Sequence, residues 1–203
     1  MGVTLYIDPL GGTLEINKTL GGMFVAPTLP QQKTIRIDWP NNSKNGAELL
    51  PSSGQHYVIV ANLKAEIPKH LPNATAADPI RVVGHSGGAQ GIDRFLREEG
   101  AWLLALLNSL GKSINCIRFY LLGDPEQKFT GASYLYPNQS PPIYPGTGAK
   151  CGKNGGPHDA TCPSTMANHG GYGIGSGLPP TCPFIVDVVC IQYDGWAMAP
   201  INT

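Results

Sequence analysis

Charge is scarce in this chain of 203 residues. Only 14% of its side chains are charged, and 14 basic residues balance 14 acidic ones. Nothing in that composition builds the basic face that meets phosphates, so a nucleic-acid partner is excluded. No basic run would hold the chain on an anionic membrane. No apolar run approaches the roughly 18 residues that cross a bilayer, so no membrane span is expected. No leader is expected either, because Val3-Thr4-Leu5-Tyr6-Ile7 reads as a strand almost from the first residue.

Cysteine is limited to Cys116, Cys151, Cys162, Cys182 and Cys190, an odd number that leaves at least one thiol unpaired within the chain. Cys116 and Cys190 fall in apolar strand patterns and read as small core hydrophobes. Cys151 and Cys162 bracket a glycine-rich loop and can form a disulfide. With His158 and His169 they lack the paired spacing of a zinc site, so neither a metal nor a cofactor is expected.

Glycine and proline are abundant instead, with 26 and 19 residues against a usual share of roughly 12% together. The excess concentrates between Gly123 and Pro180. The length suits one domain over 1–203, interrupted by a Gly/Pro-rich insertion or lid at about 125–182.

Around that insertion, short apolar runs alternate with helical periodicity. Strands are predicted at Val3–Ile7, Thr34–Trp39, Pro79–Gly84, Ile114–Leu122 and Phe184–Ile191. A helix is predicted over Ser53–Ile67, capped by Ser53 and stopped by Pro68. A second follows Ser86 and is broken by Gly100, and a third runs on from Trp102 to Gly111. Alternating strands and helices indicate βαβ units and a mainly parallel sheet.

Gly84-His85-Ser86-Gly87-Gly88 lies between a predicted strand and a predicted helix. A serine hydroxyl needs a base and an exposed position to act as a nucleophile, and G-x-S-x-G supplies the position by a sharp strand-to-helix bend. The expected fold class is therefore α/β, a three-layer α/β-hydrolase-like fold with a mainly parallel central sheet. Ser86 is the candidate nucleophile. Gly87, with Gly12 and Thr13 from the loop after the first strand, is the candidate oxyanion donor set. Asp194 is the candidate acid, with Asp124 in reserve. The base is harder to place, since no histidine follows Asp194; His169 is the first candidate and His158 the second. The expectation is a degenerate triad in a structural or binding protein. The alternative is an active serine esterase.

The chain resembles the PE-PPE-domain and cutinase-like serine hydrolases of mycobacteria and their phages. The resemblance is carried by Leu5-Tyr6-Ile7-Asp8 with Gly11-Gly12-Thr13, by the Ser86 elbow, by Gly123-Asp124-Pro125, and by Gln192-Tyr193-Asp194-Gly195-Trp196-Ala197. Met198 and Ala199 depart from the family pattern. The resemblance implies hydrolysis of lipid or mycolyl esters. The non-catalytic expectation is a phage virion component, with residues 125–182 reaching a second copy or another virion protein. A virion or secreted setting is favoured over plain cytoplasm.

Overall fold

The computed structural model describes residues 2–9, 16, 33–39, 55–124 and 181–189. Strand β1 (Val3–Ile7) alternates side chains between two sheet faces and is joined by β2 (Lys33–Arg36), β3 (Ile80–His85), β4 (Ile117–Leu122) and β5 (Ile185–Val189). Every pairing among them is parallel, and their order is β2-β1-β3-β4-β5. Helix α1 (Gln55–His70) precedes β3, and α2 (Gly87–Ser109) links β3 to β4.

The register puts Leu5, Val82, Phe119 and Val186 in one row across the sheet. Both helices cover that face: Ile59, Leu63 and Ile67 of α1 and Ala89, Ile92, Phe95 and Leu103 of α2 join the same buried cluster. Each large side chain so buried contributes roughly 1.5–3 kcal/mol. Phe119 sits at its middle, with ring centroids 6.4 Å from Phe95 and 5.7 Å from Phe184. The two helices touch at Gly91, where a β-carbon would collide with Ile59. The opposite face carries a smaller cluster in which Ile16 packs on Val83 and Leu122, flanked by Tyr6, Tyr120 and Val189. This is an α/β-hydrolase-like arrangement, as the strand and helix pattern predicted.

Three local expectations are corrected. Gly100 does not break the helix: α2 is one helix of 23 residues. A glycine inside a helix costs about 1 kcal/mol relative to alanine, and the apolar face on either side of it outweighs that. Pro68 does not stop α1, which continues to His70 and into a 3-10 turn over Leu71–Asn73. The proline forfeits its own bond to the preceding turn, and the full burial of Ile67 and Leu71 on either side outweighs that cost. The second strand ends at Arg36 rather than Trp39; Ile37 and Trp39 lie beyond it yet are buried in the main core.

At its far end α2 stops on Gly111, whose φ is +62°. The Lys112 N–H donates to the Leu107 carbonyl at 2.8 Å and the Gly111 N–H to the Asn108 carbonyl at 3.1 Å. That pair of bonds closes a helix around a left-handed residue. Cys116 is a free, buried core residue, as expected; Cys151, Cys162 and Cys190 lie outside the described residues.

Candidate active site at the carboxyl end of the sheet

In the order β2-β1-β3-β4-β5 the chain runs outward from β1 to β2, then crosses back over β1 to β3 and continues the other way. The crevice where the direction reverses lies beyond the carboxyl ends of β1 and β3, the usual ligand position in open parallel sheets. Asp8 follows β1 there, and Ser86 follows β3.

Ser86 has φ +52° and ψ −115°, and it is the only residue other than glycine with positive φ among the described residues. Such a conformation costs about 1–3 kcal/mol and persists only where the surroundings impose it. Here its own N–H donates to the Leu122 carbonyl at 2.9 Å, and its carbonyl accepts from the Gln90 N–H at 3.1 Å. The first bond ties the turn to β4, the second to α2. The Ser86 side chain does not cap the helix. Its half-buried hydroxyl therefore stands at the head of α2 without being consumed by it.

The glycines of the motif have different tasks. A β-carbon on Gly84 would lie 2.6 Å from the Gly88 carbonyl, and one on Gly88 would lie 2.5 Å from the Ile7 carbonyl oxygen. They let the elbow close on itself and on β1. Gly87 is buried at the first helical position, where the N–H has no partner within the helix. The positive end of the helix dipole favours negative charge at that point.

Asp8 is held by several contacts at this rim. Its side chain is almost wholly buried. Oδ1 accepts from the Ile16 N–H at 2.9 Å, and Oδ2 lies 2.8 Å from Nε of Arg36. Its backbone carbonyl accepts from Trp39 Nε1 at 3.0 Å. Read from sequence, Asp8 has no role of its own, and these contacts are not foreseen. The available signal was an acidic residue directly after a central strand.

Asp124 is buried just beyond β4, on the same rim as Ser86, and the Gly123 N–H before it donates to the Val189 carbonyl at 2.9 Å. The structure thus brings Ser86, Gly87, Asp8 and Asp124 to one end of the sheet. Gly12, Thr13, His158, His169 and Asp194 lie outside the described residues, as does nearly all of the 125–182 insertion. Cys182 is described; burial pushes its thiol above the usual range, which makes it a poor nucleophile. Two histidine side chains are described. His85 projects to the face shared with Val83, away from α2, as expected from strand alternation. His70 Nε2 is 2.9 Å from Glu66 Oε1 at the end of α1.

Among the described residues no group of three acidic, histidine or cysteine side chains gathers to hold a metal, and no helix is long and apolar enough to cross a membrane.

No protein-family model matches this chain, and no curated protein matches it by sequence. Solved structures do resemble it. An acetylxylan esterase is 16% identical with a TM-score of 0.42, over 84% of this chain and 90% of its own. An acetyl xylan esterase complex is 16% identical with a TM-score of 0.39, over 66% of this chain and 67% of its own. A cutinase-like protein from Cryptococcus sp. is 17% identical with a TM-score of 0.45, over 96% of this chain and 78% of its own. The sheet order and the turn at Ser86 carry the fold class without them.

Proposed function

We propose that this protein is a serine ester hydrolase that forms an acyl-enzyme on Ser86. The strained backbone of Ser86 is the observation that carries the reading. A turn that only had to join a strand to a helix would be more stable with glycine at that position.

Ser86 Oγ attacks the acyl carbonyl, and its proton passes to a base. The carbonyl oxygen gains negative charge and is held by the Gly87 N–H and by a second donor from Gly12 or Thr13. The alkoxide leaves with a proton from that base, and water repeats the sequence to release the acid. His169 is the proposed base and Asp194 its orienting carboxylate. The resemblance to PE-PPE-domain and cutinase-like hydrolases of mycobacteria and their phages directs the substrate proposal to lipid or mycolyl esters.

A fluorophosphonate probe tests this directly. Labelling of the folded chain at Ser86, lost in Ser86→Ala together with turnover of a p-nitrophenyl ester, is the expected outcome. Folded protein that takes no label would overturn it.

A second reading is a non-catalytic structural or binding protein on the same scaffold, such as a virion component that uses residues 125–182 to meet another copy. It is favoured by the position of His70, which pairs with Glu66 at the end of α1 rather than with Ser86. A monomeric protein in sedimentation, together with Ser86 labelling, would remove it.

A further inference from the structure

We infer that Asp8 is a positioning residue for Ser86: with Arg36 it makes the carboxyl end of β1 a rigid wall behind the nucleophile turn. Its effect on turnover rests on the esterase reading, which the inference deepens.

The turn is held on three sides. Hydrogen bonds tie Ser86 to Leu122 of β4 and to Gln90 of α2. On the third side the restraint is steric. A β-carbon on Gly88 would stand 2.5 Å from the Ile7 carbonyl oxygen and 3.1 Å from that of Asp8. A contact of this kind pushes in one direction only, so it restrains the turn only if the backbone behind it does not retreat. The positive φ of Ser86 needs such restraint, since a strained residue persists only where its surroundings over-determine it.

The sheet by itself does not hold that backbone. The pairing of β1 with β2 ends at Tyr6 and Arg36, and its pairing with β3 ends at Ile7 and Gly84. Asp8 lies beyond both. There its carbonyl, the same one that faces Gly88, accepts from Trp39 Nε1 at 3.0 Å. Its carboxylate meets Arg36 Nε at 2.8 Å and the Ile16 N–H at 2.9 Å. Arg36 is the last residue of β2, and the Ile37 N–H after it donates to the Tyr6 carbonyl at 2.8 Å. The pair thus ties two neighbouring strand ends together where the ladder stops. Stability alone gives no reason for it. An aspartate left 3% exposed is costly to bury even when paired, and apolar replacements of buried pairs are often neutral or stabilising. A fixed wall behind Gly88 is what the pair adds.

The test compares Asp8→Ala, Asp8→Asn and Arg36→Gln in the full chain. Turnover of p-nitrophenyl butyrate is measured per Ser86 titrated to saturation with fluorophosphonate. Asp8→Ala is expected to lower kcat about tenfold or more with KM changed less than about twofold, as a displaced nucleophile would. Asp8→Asn keeps an acceptor oxygen and should recover part of the loss. Arg36→Gln should fall between wild type and Asp8→Ala. A second comparison needs no activity. Ser86→Gly should raise the melting temperature of wild type by relieving strain, and in the Asp8→Ala background that rise should shrink by about half or more, because the wall no longer imposes the strain. If Asp8→Ala does not fold, Arg36→Gln carries both comparisons. Unchanged kcat per titrated site overturns the inference and leaves the esterase reading standing. A wild type with no Ser86-dependent turnover overturns the reading, and the melting comparison then decides the inference alone. An equal effect of Ser86→Gly in both backgrounds overturns the inference in either case.

Discussion

Gly88 faces the carbonyl oxygen of Ile7 so closely that a β-carbon on it would stand 2.5 Å away. The nucleophile turn and the central strand thus share a contact that admits only hydrogen. Gly88→Ala should destabilise the fold by about 1–3 kcal/mol, the range for overpacking a tight contact. Urea denaturation measures it, and a midpoint equal to wild type would show that β1 yields easily. The same substitution should slow Ser86 labelling, because pushing the elbow away from β1 displaces Ser86.

Ser86 itself is predicted to limit stability. Ser86→Gly should be about 1 kcal/mol more stable than wild type, since glycine adopts positive φ without the strain. Ser86→Ala retains a β-carbon and should show no such gain. Thermal unfolding of the three proteins separates the cases; equal stability of the glycine and alanine variants would contradict the strain.

Gly100 offers the reverse experiment. A β-carbon there meets nothing nearer than a Phe184 ring carbon at 3.7 Å, an ordinary contact. Gly100→Ala should therefore stabilise α2 by about 0.5–1 kcal/mol. A loss of stability would mean that the helix needs its glycine for a reason other than space.

The acid limb of stability should involve Glu66. The hydrogen bond from Lys69, then that from His70, holds its carboxyl below the ordinary range. A carboxylate with a depressed folded pKa stabilises the fold above its unfolded pKa of about 4.3, and loses that effect as pH falls through the folded value. Glu66→Gln should cost no more than about 0.5 kcal/mol at pH 7, because the partners are partly exposed. The difference should shrink toward pH 3. A gap that persists at pH 3 would point to packing instead.

Much of this architecture was legible from side-chain periodicity. The bounds of β1 follow from Val3 to Ile7, and the bend at Ser86 from its flanking glycines. Gly100 and Pro68 misled because their local preferences are strong while the burial that outweighs them depends on distant strands. Asp8 was illegible for a related reason. Its partners Ile16, Arg36 and Trp39 are scattered along the chain, and no short motif joins them. The elbow's meaning has also shifted: sequence alone inclined toward a degenerate triad, and the strained Ser86 backbone is the observation on which the proposed esterase reading rests.

The parallel pairing of all five described strands has a consequence for biosynthesis. Parallel neighbours cannot close on a tight turn. Thr4 pairs with Arg81, so β1 must wait for β3 to leave the ribosome, on the order of several seconds at bacterial or eukaryotic elongation rates. During that interval Leu5 and Ile7, destined for the centre of the molecule, have one flank open. The nascent chain, more than the finished protein, is where this sequence meets its greatest risk of mispairing.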